Sequence, residues 1–321
     1  VLDRAPGTSD LVLLYDNPRC QDAWEIDDVN GERTWLNTLP SAVPLVYARD
    51  ALGQTVTVRR GRDSSIITQR YILGDSARRL DVETTVEWSQ AHHMLEAVFP
   101  LAFHIDSTHA EIPYAVIARP TRPASRVDTA RFEAPMLRFV DGSSLTYGVA
   151  LENDGKYGYN AHGDTIFLSL LRAPKSPDAT ADMETHHFTY SIVPHAGDWR
   201  APEVLQAARS LNEPLRGVVV PSHGGTGRAT APALRIDAAD GVDLGALKRA
   251  EDSNAWVIRL VETAGRGTTA HMHFARPIGA ATETDLLERP LGTASYRPSG
   301  ETLSIPMRPW EIKTITIAPP K

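Results

Sequence analysis

Leu80–Trp88 reads LDVETTVEW. Leu80, Val82, Val86 and Trp88 fall at alternate positions, with Asp81, Glu83, Thr85 and Glu87 between them. A period of two sends the two sets to opposite faces of a strand, so this segment builds a sheet with one buried side. The same texture recurs outward in both directions. Leu11–Tyr15 (LVLLY), Thr55–Arg59 (TVTVR) and Ser65–Leu73 precede it; Leu95–Ile105, Glu111–Ala118, Thr165–Arg172 (TIFLSLLR), His187–Pro194 (HFTYSIVP), Trp256–Thr263 and Ile312–Ile317 follow. Short strands recurring without helices between them predict an all-β chain of antiparallel sandwiches rather than βαβ units. One helix is expected, at Pro202–Asn212: Pro202 suits the first turn, Glu203 the positive end of the dipole, and Val204, Ala208 and Leu211 share a face. Asn212 and Pro214 stop it.

Between Pro221 and Pro232 the chain reads PSHGGTGRATAP, small and polar with no period, which predicts a linker or exposed loop. The expected organisation is therefore a large β-domain over 1–220, a linker over 221–232 and a smaller β-module over 233–321. A length of 321 residues accommodates both, and 42% hydrophobic with 23% charged residues is an ordinary globular mixture. A net charge of −7 argues against a nucleic-acid partner, which needs concentrated Lys and Arg, and favours uncharged ligands. No apolar run is long enough to cross a membrane as a helix, and the first thirty residues lack the order of a signal peptide, so a cytoplasmic setting is expected. Val1 rather than Met opens the sequence, which suggests a piece of a longer polypeptide.

The lone Cys20 excludes an internal disulfide and a multi-thiolate metal site, and reads as a buried small residue. The chain has no Gly-x-Ser-x-Gly elbow, no HExxH and no phosphate loop. His271 and His273 would share one face of a strand and could share a metal, but a pair is two ligands short of a site, and a hydrogen-bonded structural role is the simpler reading. His92–His93 and His186–His187 are adjacent, hence divergent on a strand. Asp22, Asp27 and Asp28 stand beside Trp24, the kind of ring on which a sugar stacks, and read as sugar contacts rather than a bond-breaking pair. Asn153–Tyr159 (NDGKYGY) reads as a hairpin turned at Asp154-Gly155. In PHAGDW, Pro194–Trp199, Asp198 is expected to accept from amide donors ahead of the helix and Trp199 to pack beneath it.

Several blocks resemble the C-terminal half of the α-mannosidases of glycoside hydrolase family 38: DNPRCQDAWEID (Asp16–Asp27), IARPTRPASRVDTARFEAP (Ile117–Pro135), YGVALENDGKYGY (Tyr147–Tyr159), LSLLRAPKSPD (Leu168–Asp178), FTYSIVPHAGDWR (Phe188–Arg200), LGALKRAEDSNAWVIRLVET (Leu244–Thr263) and ETDLLE (Glu283–Glu288). Together they reach across nearly the whole chain. The resemblance implies a large mutarotase-like antiparallel supersandwich followed by a smaller β-sandwich module. It implies a parent enzyme that is a retaining, zinc-dependent exo-α-mannosidase acting on mannose-containing glycans, whose nucleophile and zinc ligands lie in an N-terminal catalytic part. No position here matches those motifs, so no catalytic residue, no metal ligand and no cofactor is assigned to this chain, and its expected partner is that N-terminal part. In the first block the family pattern runs Trp-Asp-Ala-Trp-Asp; Gln21 and Glu25 depart from it, while Asp22 and Trp24 keep it and are the expected substrate-binding residues. Alternatives are a stand-alone carbohydrate-binding module using Trp24, or a mutarotase-like epimerase, for which His195 with Asp198 is the local pair to inspect.

Overall fold

The computed structural model describes residues 10–26, 33–36, 45–222, 224, 232–237 and 241–318. The chain divides into two units, Val1–Ile112 with Ile117–Leu215, and Pro113–Val116 with Arg216–Lys321. Most of the expected linker over 221–232 lies outside the described residues.

Two antiparallel sheets form the large sandwich. One runs, in spatial order, Ala134–Pro135 (β10), Gly158–His162 (β13), Thr165–Arg172 (β14), His93–Pro100 (β7), Asp10–Tyr15 (β1) and Arg33–Trp35 (β2). The other runs Val46–Arg49 (β3), Gly53–Arg62 (β4), Ser65–Gly74 (β5), Leu80–Glu87 (β6), Thr185–Ala196 (β15), Tyr147–Asn153 (β12), Phe139–Ser143 (β11), Ser107–Ile112 (β8) and Ala115–Pro120 (β9). Leu11 and Leu13 of β1, Leu95 and Phe99 of β7 and Ile166 and Leu168 of β14 meet Val82 and Val86 of β6, Leu151 of β12 and Tyr190 of β15 in one core. Each such side chain contributes about 1.5–3 kcal/mol by leaving water. The alternation in Leu80–Trp88 is the signature of this one-sided burial. LVLLY behaves differently: Val12 and Leu14 join Met94, Val98 and Phe167 in a second cluster on the opposite face, so β1 is buried on both sides and reads as a continuous apolar run.

Residues from Leu234 onward form the smaller sandwich, with a three-stranded sheet of Leu234–Asp237 (β16), Thr268–Phe274 (β19) and Thr302–Met307 (β22). Its five-stranded partner is Val242–Arg249 (β17), Trp256–Glu262 (β18), Ile312–Ile317 (β23), Ala281–Thr284 (β20) and Pro290–Tyr296 (β21). Ile258, Leu260, Met272, Ile305 and Ile315 fill the space between them. The chain is thus all-β, a large antiparallel supersandwich followed by a smaller one.

The helix at Pro202–Asn212 (α2) has the expected bounds and buries Val204 and Ala208. A second, five-residue helix, Arg126–Ala130 (α1), was not expected; Ser125 caps it, its Oγ accepting from the Asp128 N–H at 3.1 Å. Three local readings are corrected. Glu111–Ala118 is two strands, broken at Pro113 and at Tyr114, whose φ is 60°. The strand begun at Leu95 ends at Pro100 rather than Ile105. Asn153–Tyr159 is not a hairpin: β12 belongs to the nine-stranded sheet and β13 to the six-stranded one, so the segment crosses between sheets. Gly155 does take the positive φ, 143°, and Asn153 Oδ1 holds the turn by accepting from the N–H groups of Gly155 and Lys156 at 2.9 and 2.7 Å.

Candidate functional site

The segment after β1, Asp16–Ile26, carries the two residues singled out as sugar contacts. It is irregular backbone fixed by one guanidinium. Arg172, the last residue of β14, pairs with the carboxylate of Asp16, which is buried, and donates to the carbonyls of Asp22 (2.7 Å), Ala23 (3.2 Å) and Glu25. A planar fork of five N–H donors suits a task that spreads over one carboxylate and three carbonyls. Asp22 returns the grip: its Oδ2 accepts from the backbone N–H groups of Lys175 (2.5 Å) and Ser176 (3.2 Å), just beyond Arg172, while Oδ1 lies 3.8 Å from His92 Nδ1. The clamp leaves Trp24 71% exposed, an unusual state for so large an apolar ring. Cys20 is exposed, not buried as expected; its thiol donates to Glu25 Oε2 at 3.3 Å. Asp27 and Asp28 lie outside the described residues.

Beside this segment is a cavity of about 450 Å³, lined by Glu133, Lys156, Tyr157, Ser169, Arg172 and Asp182 together with apolar residues that include Met94 and Ile26. Behind it sits a buried carboxyl pair. Asn160 Nδ2 donates to Glu96 Oε1 (2.8 Å) and Glu133 Oε1 (2.6 Å), and Ser169 Oγ donates to Glu133 Oε2 (2.8 Å). Burial, and then the adjacent Glu133 carboxylate, push Glu96 well above the usual carboxylate range; burial raises Glu133 as well. Two carboxyl groups held this close, bridged by Asn160, resist ionising together, which favours one proton held by the pair. That contact is too close for the roughly 5–10 Å that separates a glycosidase's two carboxyl groups. Burial also lowers Lys156, whose ammonium lies 4.5 Å from the centre of the Phe188 ring.

The histidines are otherwise engaged. His195 Nε2 bonds Asp141 Oδ2 at 2.6 Å, and both side chains are fully buried. The ring's partner is therefore Asp141, not Asp198, whose carboxylate binds Arg200. Burial acts to lower His195, but the hydrogen bond and charge of Asp141 prevail and hold it above its ordinary value. Trp199 is buried ahead of the helix as expected, stacked on His109. His271 Nδ1 meets Ser304 Oγ at 2.9 Å, and His273 Nε2 meets Asp237 Oδ2 at 2.8 Å. His92 is in a turn and only His93 begins a strand. Among the described residues no three or more His, Cys, Asp or Glu side chains gather where they could hold a metal ion.

Residues 3–180, more than half of the chain, match the family model described as "Glycosyl hydrolases family 38 C-terminal domain". The chain belongs to glycosyl hydrolase family 38. Residues 241–315 match the family's C-terminal beta sandwich domain, which falls within the smaller sandwich. Among curated relatives of this family 38 portion, the human alpha-mannosidase 2C1 is 33% identical over 312 residues, covering 96% of this chain and 30% of the relative. The alpha-mannosidase of Saccharomyces cerevisiae is 30% identical over 338 residues, covering 97% and 31%. The chain thus spans about three tenths of the length of these relatives. An alpha-mannosidase structure from Enterococcus faecalis shares the fold with a TM-score of 0.80 at 18% identity, covering 96% of this chain and 38% of that one.

The sequence singles out Asp22 and Trp24 but not the groups packed around them. Arg172, Glu96, Glu133 and Asn160 are far apart in sequence and meet only through sheet pairing. A signal existed for Glu96: it is an acid inside the apolar run HMLEAVFP, a position that demands a partner.

Proposed function

We propose that this chain is the C-terminal, non-catalytic β-portion of a zinc-dependent, retaining exo-α-mannosidase that hydrolyses terminal α-linked mannose. The observation that carries the reading is the similarity to curated α-mannosidases along almost the entire chain, at three tenths of their length. In this reading the nucleophile and the zinc ligands come from the N-terminal part of the longer polypeptide, which the supersandwich supports. The family 38 portion closes one wall of the sugar cleft with the Asp16–Ile26 segment. Trp24 offers its ring to a mannose face, and Asp22 acts through the backbone it holds in place. The glycan and the N-terminal part are the partners. An exposed lone thiol at Cys20 suits a reducing, cytoplasmic setting.

The test is Trp24→Ala in the full-length enzyme. A stacking ring is worth about 0.5–1.5 kcal/mol, so KM should rise several-fold with kcat little changed. An unchanged KM would remove the segment from the cleft. The epimerase reading finds no support, since His195 and Asp141 face each other with no access to solvent.

A further inference from the structure

The cavity between β10, β13, β14 and the Asp16–Ile26 segment is a site of its own. At about 450 Å³ it falls within the usual range for small-ligand pockets, about 300–1,000 Å³. Its polar groups are mixed in sign and role. Glu133 and Asp182 accept, Lys156 and Tyr157 donate, and Ser169, whose O–H is given to Glu133, accepts. Arg172 is already spent on Asp16 and the loop carbonyls. Glu133 accepts from Asn160 and Ser169 and also faces the Glu96 carboxyl, and a carboxylate has room for about four hydrogen bonds, so a place is left for a ligand hydroxyl. Asn160, nine-tenths buried, stands behind Glu133 and fixes its carboxylate by donating to it at 2.6 Å. Met94, Leu171 and Ile26 supply an apolar side.

A ligand for this cavity must donate to carboxylates, accept from an ammonium and present carbon on one side. An anion would meet Glu133 and Asp182, and a flat apolar molecule would strand the polar groups. We propose that this cavity binds an uncharged polyol of about one hexose, with Glu133 accepting hydrogen bonds from its hydroxyls and Lys156 donating to them. The site is separate from the exposed face of Trp24. It rests on the α-mannosidase reading only in the choice of mannose as the probe.

The experiment is calorimetric titration of the chain with mannose and, separately, mannose 6-phosphate. Mannose should bind saturably at one site, and the phosphate ester should not bind there. Glu133→Gln and Lys156→Met should each weaken mannose binding about tenfold or more, while Trp24→Ala leaves it unchanged. Thermal melts report whether each variant is folded, and Lys156→Met, which disturbs no buried carboxyl, serves if Glu133→Gln does not fold. Absence of saturable binding by the parent chain, or binding that Lys156→Met leaves intact, overturns the proposal. So does binding that only Trp24→Ala abolishes, which would place the sugar on the loop. Because the cleft reading is tested by KM in the longer enzyme, either idea can fail without the other.

Discussion

Arg172 and Asp16 illustrate how a single side chain can hold an irregular segment. Asp16 is buried, so removing the guanidinium leaves a carboxylate without water or partner, and three carbonyls lose a donor with it. Arg172→Leu should destabilise the large sandwich by about 3–5 kcal/mol in urea unfolding. Adding Asp16→Asn should recover part of that loss, because the uncompensated charge is gone; no recovery would mean that the carbonyl contacts dominate. Glu152 makes a second case. It is fully buried on β12, neither carboxyl oxygen is bonded among the described residues, and burial pushes its pKa from 4.5 up to about 9. Between those values the folded chain keeps a proton that the unfolded chain releases. This group's contribution is therefore whole below about pH 4.5 and is lost as pH rises toward 9. Glu152→Gln, which cannot ionise, should flatten the decline in melting temperature across that window. An equally steep decline in the variant would assign the loss to other groups.

At the level of elements, β12 depends on having no side chain at residue 148. A Cβ there would lie 2.5 Å from Ser143 Cβ and 2.7–2.8 Å from the His195 ring, which uses the gap to reach from β15 across β12 to Asp141 on β11. Gly148→Ala should cost about 1–3 kcal/mol and break the His195–Asp141 bond, seen as a change in the imidazole's NMR titration. An unperturbed titration would show that the strands shift to accommodate the methyl. The same strands show what the amino-acid pattern could and could not reveal. LDVETTVEW and Pro202–Asn212 are legible because each buries one face of a regular element, so period alone reports the structure. Asn153–Tyr159 misleads because its turn chemistry is real at Asn153 and Gly155, while the identity of the sheet on the far side is a long-range fact. Trp24 stood out by residue type. Its clamp did not, because Arg172 lies about 150 positions from the carbonyls it binds, and only the placement of β14 beside β7 and β1 brings them together.

For the whole molecule, two sandwiches account for the burial of the apolar sequence, and the family 38 match extends over both. Besides Glu152, two groups of polar residues have unusual environments: His195 with Asp141, fully buried, and Glu133 with Glu96 and Asn160, of which Glu133 reaches the cavity. Neither presents two carboxyl groups at a glycosidase's spacing, and no described cluster suits a metal. The proposed division of labour, in which this portion shapes a sugar cleft and another part of a longer chain breaks the bond, is open to a test on this chain alone. The most direct measurement is the rate at which the purified 321-residue chain, supplied with zinc, hydrolyses an aryl α-mannoside. No turnover above background is expected; zinc-dependent turnover by this chain alone would contradict the proposed division of labour.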